Sequence, residues 1–311
     1  MKTSTLKRRD GAAVDKVTIE AFRRGFCGQV LLPEDTGYDS ARRIWNASID
    51  KHPGLIARCS EAADVVRAVK FSRANNLLVA VKSGGHNVAG RALCDDGIVI
   101  DLSATNRVSV DPELRAVRVQ AGALLGDVDR ETNPHGLVVP TGVVSKTGIA
   151  GLTLGGGTGW LARKYGLTCD NVVSCEVVTA EGDLVTANNE INADLFWGLR
   201  GGGGNFGIVT SFLYRAHPVS TVLGGVIAYT LDQAAALLRY YRDFMPAAPD
   251  ELTAYAGLIS MPDGTPAVGV MACYCGDLTE GERVLKPLRA FGSPVFDAIQ
   301  PMPFPTMQKP C

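Results

Sequence analysis

Val79-Ala80-Val81-Lys82-Ser83-Gly84-Gly85-His86-Asn87 is the stretch on which the fold of this chain turns. The apolar run 77–81 predicts a buried strand, and it leads directly into two glycines and a histidine. Glycines there let the backbone take φ > 0 and let a ligand approach the main chain closely. Successive N–H groups in such a turn form an anion-binding nest. The turn can therefore hold a phosphate or pyrophosphate with an imidazole beside it. A plain strand-to-turn bend with a surface histidine gives the same short pattern, which alone is weak. The surrounding sequence decides between the two.

Upstream, Leu55-Ile56-Ala57 reads as a short strand. Ser60 predicts the N-cap of a helix ending near Asn75, with Ala62, Val65, Val66 and Val69 on one stripe. Strand, helix and strand at this spacing form an α/β unit. Residues 1 to about 36 are polar and predict a mobile start, and residues 38–49, with Ile44 and Trp45, a short helix or loop. Downstream, 98–102 reads as a strand, 107–112 and 116–120 as a hairpin, and 123–133 as a helix. A strand at 137–139 then enters the loop Pro140-Thr141-Gly142.

The next run, 147–159, holds six glycines in thirteen residues. Each glycine costs about 0.5–1 kcal/mol inside a regular element, so so many of them require a reason. Backbone packed flat against a large ligand supplies one. Ile149, Leu152 and Leu154 are interleaved, which a solvated linker would not be. Strands follow at 172–180 and 184–186, and an amphipathic turn of helix at 194–199. Gly202, Gly204 and Gly207 satisfy G-x-G-x-x-G. That fingerprint must open a helix, whereas 208–215 is β-branched and alternating, so a strand follows and a Rossmann site is excluded. Beyond Pro218 the glycine clusters stop. A strand at 225–229, a helix at 231–245, a strand pair at 252–259 and 267–274, a helix at 278–291 and a proline-rich tail predict a second domain.

The 311 residues carry a net charge of -1, so no global field favours nucleic acid or an anionic membrane. No run approaches the roughly 20 apolar residues of a membrane helix. The first thirty residues lack the apolar core of a secretory signal. The eight cysteines show neither CxxC nor a ligand spacing with histidine, which predicts reduced thiols, a cytoplasmic protein and no metal site. Cys273 and Cys275 are expected on opposite sides of their strand. Walker, G-x-S-x-G and H-E-x-x-H motifs are absent. His52, His135 and His217 read as ordinary loop residues, and Asp170-Asn171 as turn-formers. His86 differs because it lies in the nest, where a partly neutral imidazole can act as a nucleophile. The glycine-rich stretches near 84, 151 and 204 together require one large ligand with an anionic linker and a flat apolar part. A dinucleotide held between strand-rich subdomains fits.

Residues 82–87, then 97–102, then 151–160 resemble the FAD-linked oxidases of the vanillyl-alcohol-oxidase (PCMH-type) superfamily. Arg163-Lys164-Tyr165-Gly166-Leu167, Asp170-Asn171-Val172, Asp194-Leu195-Phe196-Trp197 and the 201–207 glycine run add to it, in the berberine-bridge-enzyme-like branch. The match is dense over about 55–218 and loose beyond. The resemblance implies an α+β fold: a two-subdomain FAD-binding domain over 1–218, then the first part of an α+β substrate domain over 219–311. It implies FAD with its pyrophosphate on Lys82, Ser83, Gly84, Gly85, His86 and Asn87. Leu102, Pro140, Thr141, Gly142, Thr147, Gly148, Gly151 and Gly159 are implied around the flavin and phosphates. Ile208 and Val209 are implied at the adenine end, through backbone groups. His86 would be bonded to the flavin 8α-methyl. Many members carry a second link through a cysteine just before the proline matching Pro140. That position is Val139 here, and valine offers no thiolate, so one link at most is implied. The reaction implied is hydride transfer from a small alcohol, sugar or amine to flavin N5, with molecular oxygen as acceptor giving peroxide. The alternative is a non-catalytic flavin-binding remnant. Family members continue past this length with a segment bearing active-site tyrosine and asparagine residues, so no catalytic base is assigned. Tyr255 and Tyr274 are expected to be ordinary strand tyrosines.

Overall fold

A computed structural model describes residues 5–308. The first sheet forms from β1 (Gln29–Leu31), β2 (Leu55–Arg58), β3 (Val79–Lys82) and β4 (Ile98–Asp101), in the order β1-β2-β4-β3. Strands β2, β4 and β3 are parallel, and β1 is antiparallel to β2. Three helices accompany them: α1 (Lys16–Arg24), α2 (Tyr38–Ala41) and α3 (Ala62–Ala74). The crossover through α3 is the expected α/β unit, with β4 inserted between its two strands. Because β3 lies at the sheet edge, Val79 and Val81 are exposed on one side. The expectation of a buried strand is corrected accordingly. The N-cap of α3 is Glu61 rather than Ser60. Ser60 instead gives its N–H and hydroxyl to the buried carboxylate of Asp64, which also accepts from the backbone of Cys27 and Gly28.

The predicted mobile start is corrected for residues 5–36, while residues 1–4 lie outside the described residues. Leu6 and Val14 are buried in the main core. Helix α1 is started by Asp15, whose carboxylate accepts from the N–H of Thr18 at 2.8 Å. Only Ile19 of α1 is fully buried, so its apolar stripe was too thin to read.

The second sheet contains β5 (Val108–Asp111), β6 (Ala116–Gln120), β8 (Val172–Val178), β9 (Leu184–Asn188) and β10 (Ile208–Arg215). Its order is β5-β6-β10-β8-β9 and every pairing is antiparallel. Leu55, Ile98 and Ile100 of the first sheet share one core with Val117, Val119, Val177 and Phe212 of the second. Between β6 and β8 run α4 (Leu125–Thr132), β7 (Leu137–Val138), α5 (Ile149–Leu154) and α6 (Ala162–Tyr165). Helix α7 (Ala193–Leu199) precedes the 201–207 glycines, and β10 follows them, as the rejection of a Rossmann site requires. The pair β7 with β11 (His217–Pro218) leads out of this part.

The third sheet is built from β12 (Thr221–Thr230), β13 (Leu252–Ser260), β14 (Pro266–Tyr274) and β15 (Phe296–Asp297), in the order β13-β14-β12-β15, with β16 (Gln300–Pro303) also on β12. Leu237 of α8 (Ala234–Phe244) and Leu285 and Leu288 of α9 (Leu278–Arg289) share a separate core with Leu223, Ile227, Val268 and Val270. Cys273 and Cys275 both join a cluster with Val138, Trp160 and Val222, while Tyr274 between them faces the sheet's other core. Residues two apart in a strand share a face, which corrects the expectation of opposite sides. The tail ends in α10 (Phe304–Met307), packed against α4 and β12. Residues 309–311 lie outside the described residues. The whole is α+β. No described helix is long and apolar enough to cross a membrane.

Candidate cofactor site

The turn after β3 is built on two different uses of glycine. Gly85 takes φ +69°, a conformation that side chains with a Cβ resist. Gly84 is needed for closeness: a Cβ there would sit 2.4 Å from the nitrogen of Gly148, and one on Gly148 would sit 2.5 Å from the nitrogen of Gly84. The two backbones are therefore in direct contact. Leu124 pairs with Gly148 through an isolated β-bridge, and its side chain lies beside Gly84 as well. The hydroxyl of Ser83 donates to the carbonyl of Ala121 at 2.6 Å, tying the turn to the second sheet.

From Gly148 the chain enters α5. No helix is predicted there from sequence, because glycine lowers helix propensity. Tertiary packing overrides it: Ile149, Ala150 and Leu154 are buried, and Thr153 bonds the hydroxyl of buried Tyr214 at 2.7 Å. At the far end, the carbonyl of Leu154 accepts from the N–H of Gly203 at 2.8 Å. The three glycine-rich stretches thus meet along one short helix. Gly151 lies on its exposed side, and a Cβ there would meet no protein atom within 4 Å. A helix side opened by Gly151 and bordered by two glycine turns suits a flat, extended cofactor, and in that respect the residues fit FAD.

The remaining expected residues fall into two groups. Gly142 packs on Leu125 and Leu152, and a Cβ on Gly159 would lie 1.9 Å from the carbonyl oxygen of Thr141, so 141, 142 and 159 form one wall. Thr147 closes the loop before Gly148, its carbonyl accepting from Leu125. Pro140 is buried. Ile208 and Val209 begin β10 opposite Val178 and Val177. Other side chains are committed to the protein. The ammonium of Lys82 bonds the carbonyl of Ala41 at 2.6 Å and pairs with Asp101 at 3.3 Å, with side-chain exposures of 11% and 1%. The Leu102 side chain lies in the core. Asn87 accepts from the N–H of Arg91 at 3.0 Å. Val139 is fully enclosed in the core.

His86 carries a partner that sequence reasoning missed. The Trp45 ring stacks on its imidazole at 5.8 Å, with the planes 20° apart. Trp45 also donates its N–H to the carbonyl of Gly85 at 3.0 Å, and Ile44 packs against Gly85. Residues 44–45 therefore clamp the histidine turn from outside. Among the described residues every cysteine is free. Burial pushes the thiols of Cys94 and Cys275 up to about 11 and that of Cys175 to about 12, and the exposed Cys27 is raised by its bond to Glu61. Reactive thiolates require the opposite shift.

Asn171 donates to the carbonyls of Tyr165 and Leu167, the turn-forming role expected. His217 is more than a loop residue. It stacks on Tyr165 at 4.1 Å and bonds Asn171 at 2.7 Å, and burial lowers its pKa. Tyr274 packs beneath α9, the ordinary role expected. Tyr255 reaches the site: its hydroxyl lies 3.4 Å from the carbonyl of Gly159 and its ring tilts against Trp160 at 5.0 Å.

Residues 53–188 match the FAD binding domain family. The chain is 35% identical over 275 residues to (R)-6-hydroxynicotine oxidase of Paenarthrobacter nicotinovorans, covering 88% of this chain and 60% of that protein. The crystal structure of 6-hydroxy-D-nicotine oxidase from Arthrobacter nicotinovorans superposes with a TM-score of 0.86 at 34% identity, covering 91% of this chain and 63% of that one. Carbohydrate oxidase from Microdochium nivale superposes with a TM-score of 0.82 at 27% identity, covering 94% of this chain and 63% of that one. The chain spans about three fifths of the length of these relatives. In sequence and fold the chain is thus similar to FAD-linked oxidoreductases, and residues 53–188 carry the FAD binding domain.

Proposed function

We propose that the chain holds FAD along the line from Gly84 through α5 to Gly203 and works as an oxidase of a small alcohol, sugar or amine, with molecular oxygen as acceptor. The observation that carries this reading is the junction of three glycine-rich stretches on α5, with Gly151 leaving the helix bare. When bound, the flavin supplies hydride acceptance at N5 and reoxidation by oxygen to peroxide. The chain binds and orients it. Ser83, Gly84, Gly85 and Asn87 take the pyrophosphate, with Lys82 bracing the turn from within. Thr141, Gly142, Thr147, Gly148, Gly151 and Gly159 border the ring system and phosphates, with Pro140 and Leu102 behind them. Ile208 and Val209 offer backbone groups to the adenine.

In this reading His86 provides a single 8α-histidyl link, and its stack with Trp45 fixes the plane of the imidazole. Enclosed Val139 and the raised thiols support one link rather than two. The boundary at Pro218 separates the flavin part from a donor-side part, which meets it through Tyr255. The donor class rests on the hydroxynicotine and carbohydrate oxidases that the chain resembles. Free thiols suit a cytoplasmic setting.

Acid precipitation tests the link. Yellow colour stays in the wild-type pellet and moves to the supernatant for His86→Ala, because the glycine surfaces that bind FAD remain. Equal release from both proteins contradicts the covalent bond.

A further inference from the structure

The last described residue reaches back across the molecule. The carboxamide nitrogen of Gln308 donates to Asp129 Oδ1 on α4 and to the Thr141 hydroxyl, each at 3.2 Å. The carbonyl of Gln308 accepts from the N–H of Ser145 at 3.0 Å and from its hydroxyl at 2.9 Å. One residue after α10 thus grips both ends of the 141–145 loop. Among the described residues, two acceptor atoms in the same cluster are buried without any partner: Asp129 Oδ2 and Gln308 Oε1. Burying such atoms unpaired is costly, and they belong to groups already joined by one hydrogen bond. A single proton on the carboxyl satisfies both, and an ionised carboxylate satisfies neither.

We propose that Asp129 is a neutral carboxylic acid whose Oδ2–H donates to Gln308 Oε1, closing an acid–amide pair that makes Gln308 the positioning residue for residues 141–145. The effect on the cofactor rests on the proposed flavin reading of Thr141 and Gly142. The pair itself does not.

The surroundings agree. Burial alone raises the Asp129 carboxyl from its ordinary 3.8 to about 7, and no charge contributes. On α4 itself the charged neighbours are Asp127, Arg130 and Glu131, which bond one another at the surface. Of the elements packed on α4, β5 offers exposed Asp111 and the turn Asn133–His135 offers exposed His135. Strand β7 and helix α10 carry no titratable group. Lys146, just after the gripped loop, is exposed. None is placed to neutralise an ionised Asp129.

Between about pH 4 and pH 7 the unfolded carboxyl has lost its proton while the folded one keeps it. Folding then takes up a proton, so stability falls as pH rises through that window and levels off above it. Asp129→Asn keeps the shape and donates an N–H to Gln308 at every pH. Its folded-to-unfolded ratio relative to wild type should grow by up to about tenfold per pH unit across the window. Infrared difference spectra provide the second readout, and they need no variant stability. The holoprotein at about pH 6 should show a protonated carboxyl band that Asp129→Asn removes and that fades through about pH 7 in wild type. A wild-type spectrum without that band, or a stability ratio that does not change with pH, overturns the pair. With His86→Ala in both proteins, so that no bond holds the flavin, Gln308→Ala should lose FAD on gel filtration faster than His86→Ala alone. Equal retention overturns the positioning role. A wild type that never binds FAD counts against the proposed function, and the infrared band still decides the pair.

Discussion

Lys82→Met should unfold with about 3–5 kcal/mol less stability than wild type. The ammonium of Lys82 lies between the carbonyl of Ala41 and the carboxylate of Asp101, and Asp101 is 1% exposed. Removing the cation leaves a buried carboxylate whose other partner among the described residues is the N–H of Ser103. It also unties α2 from β3, directly beneath the glycine turn. Replacing both partners with apolar groups of similar volume is often neutral, so Lys82→Met combined with Asp101→Leu should recover most of the loss. Urea unfolding of the three proteins measures this. A single-variant loss below about 1 kcal/mol, the scale of an exposed ion pair, would show that the pair carries little. The prediction also separates two roles for Lys82, since a direct cofactor contact would weaken FAD binding with little change in stability.

The second large effect distinguishes glycines that pack from a glycine that stays bare. Gly84→Ala places a Cβ 2.4 Å from the nitrogen of Gly148. Backbone cannot swing aside as a side chain can, so the turn must separate from α5, at about 1–3 kcal/mol and with at least roughly tenfold weaker FAD binding. Gly151→Ala meets no protein atom within 4 Å and lies in a helix. It should therefore stabilise the cofactor-free protein by about 0.5–1 kcal/mol. If FAD lies on that helix face, the same methyl weakens FAD binding. Thermal unfolding without FAD and titration with FAD, each with His86→Ala also present so that binding is reversible, provide the two numbers. Gly151→Ala binding FAD as tightly as wild type would move the cofactor off α5.

Much of this arrangement was legible because its signals are local. The alternation in 208–215 and in the 252–259 and 267–274 pair survives as β10, β13 and β14, and the apolar run 98–102 survives as β4. The rejection of a dinucleotide helix after Gly207 needed only the β-branched residues that follow. What escaped depends on contacts far apart in sequence. Gln308 meets Asp129 and Thr141 across 179 and 167 positions, and nothing near any of the three predicts it. Trp45 stacks on His86 because α2 and β3 converge through Lys82, which no periodicity encodes. Helix α5 was hidden by its glycines, and its stability comes from Ile149, Ala150 and Leu154 entering the core. The edge position of β3 was hidden because an apolar run reads the same at the edge and at the centre of a sheet. For Gly84, the sequence supported the residue but not its reason: its missing side chain makes room for Gly148 rather than only for a ligand.

Flavin content tests the central claim most directly. Protein purified after incubation with excess FAD should retain it stoichiometrically through gel filtration, and show a flavin absorption spectrum that bleaches under a suitable donor without oxygen and returns with it. A protein that stays colourless after that incubation would contradict the assignment of α5 and its flanking glycine turns as a flavin site.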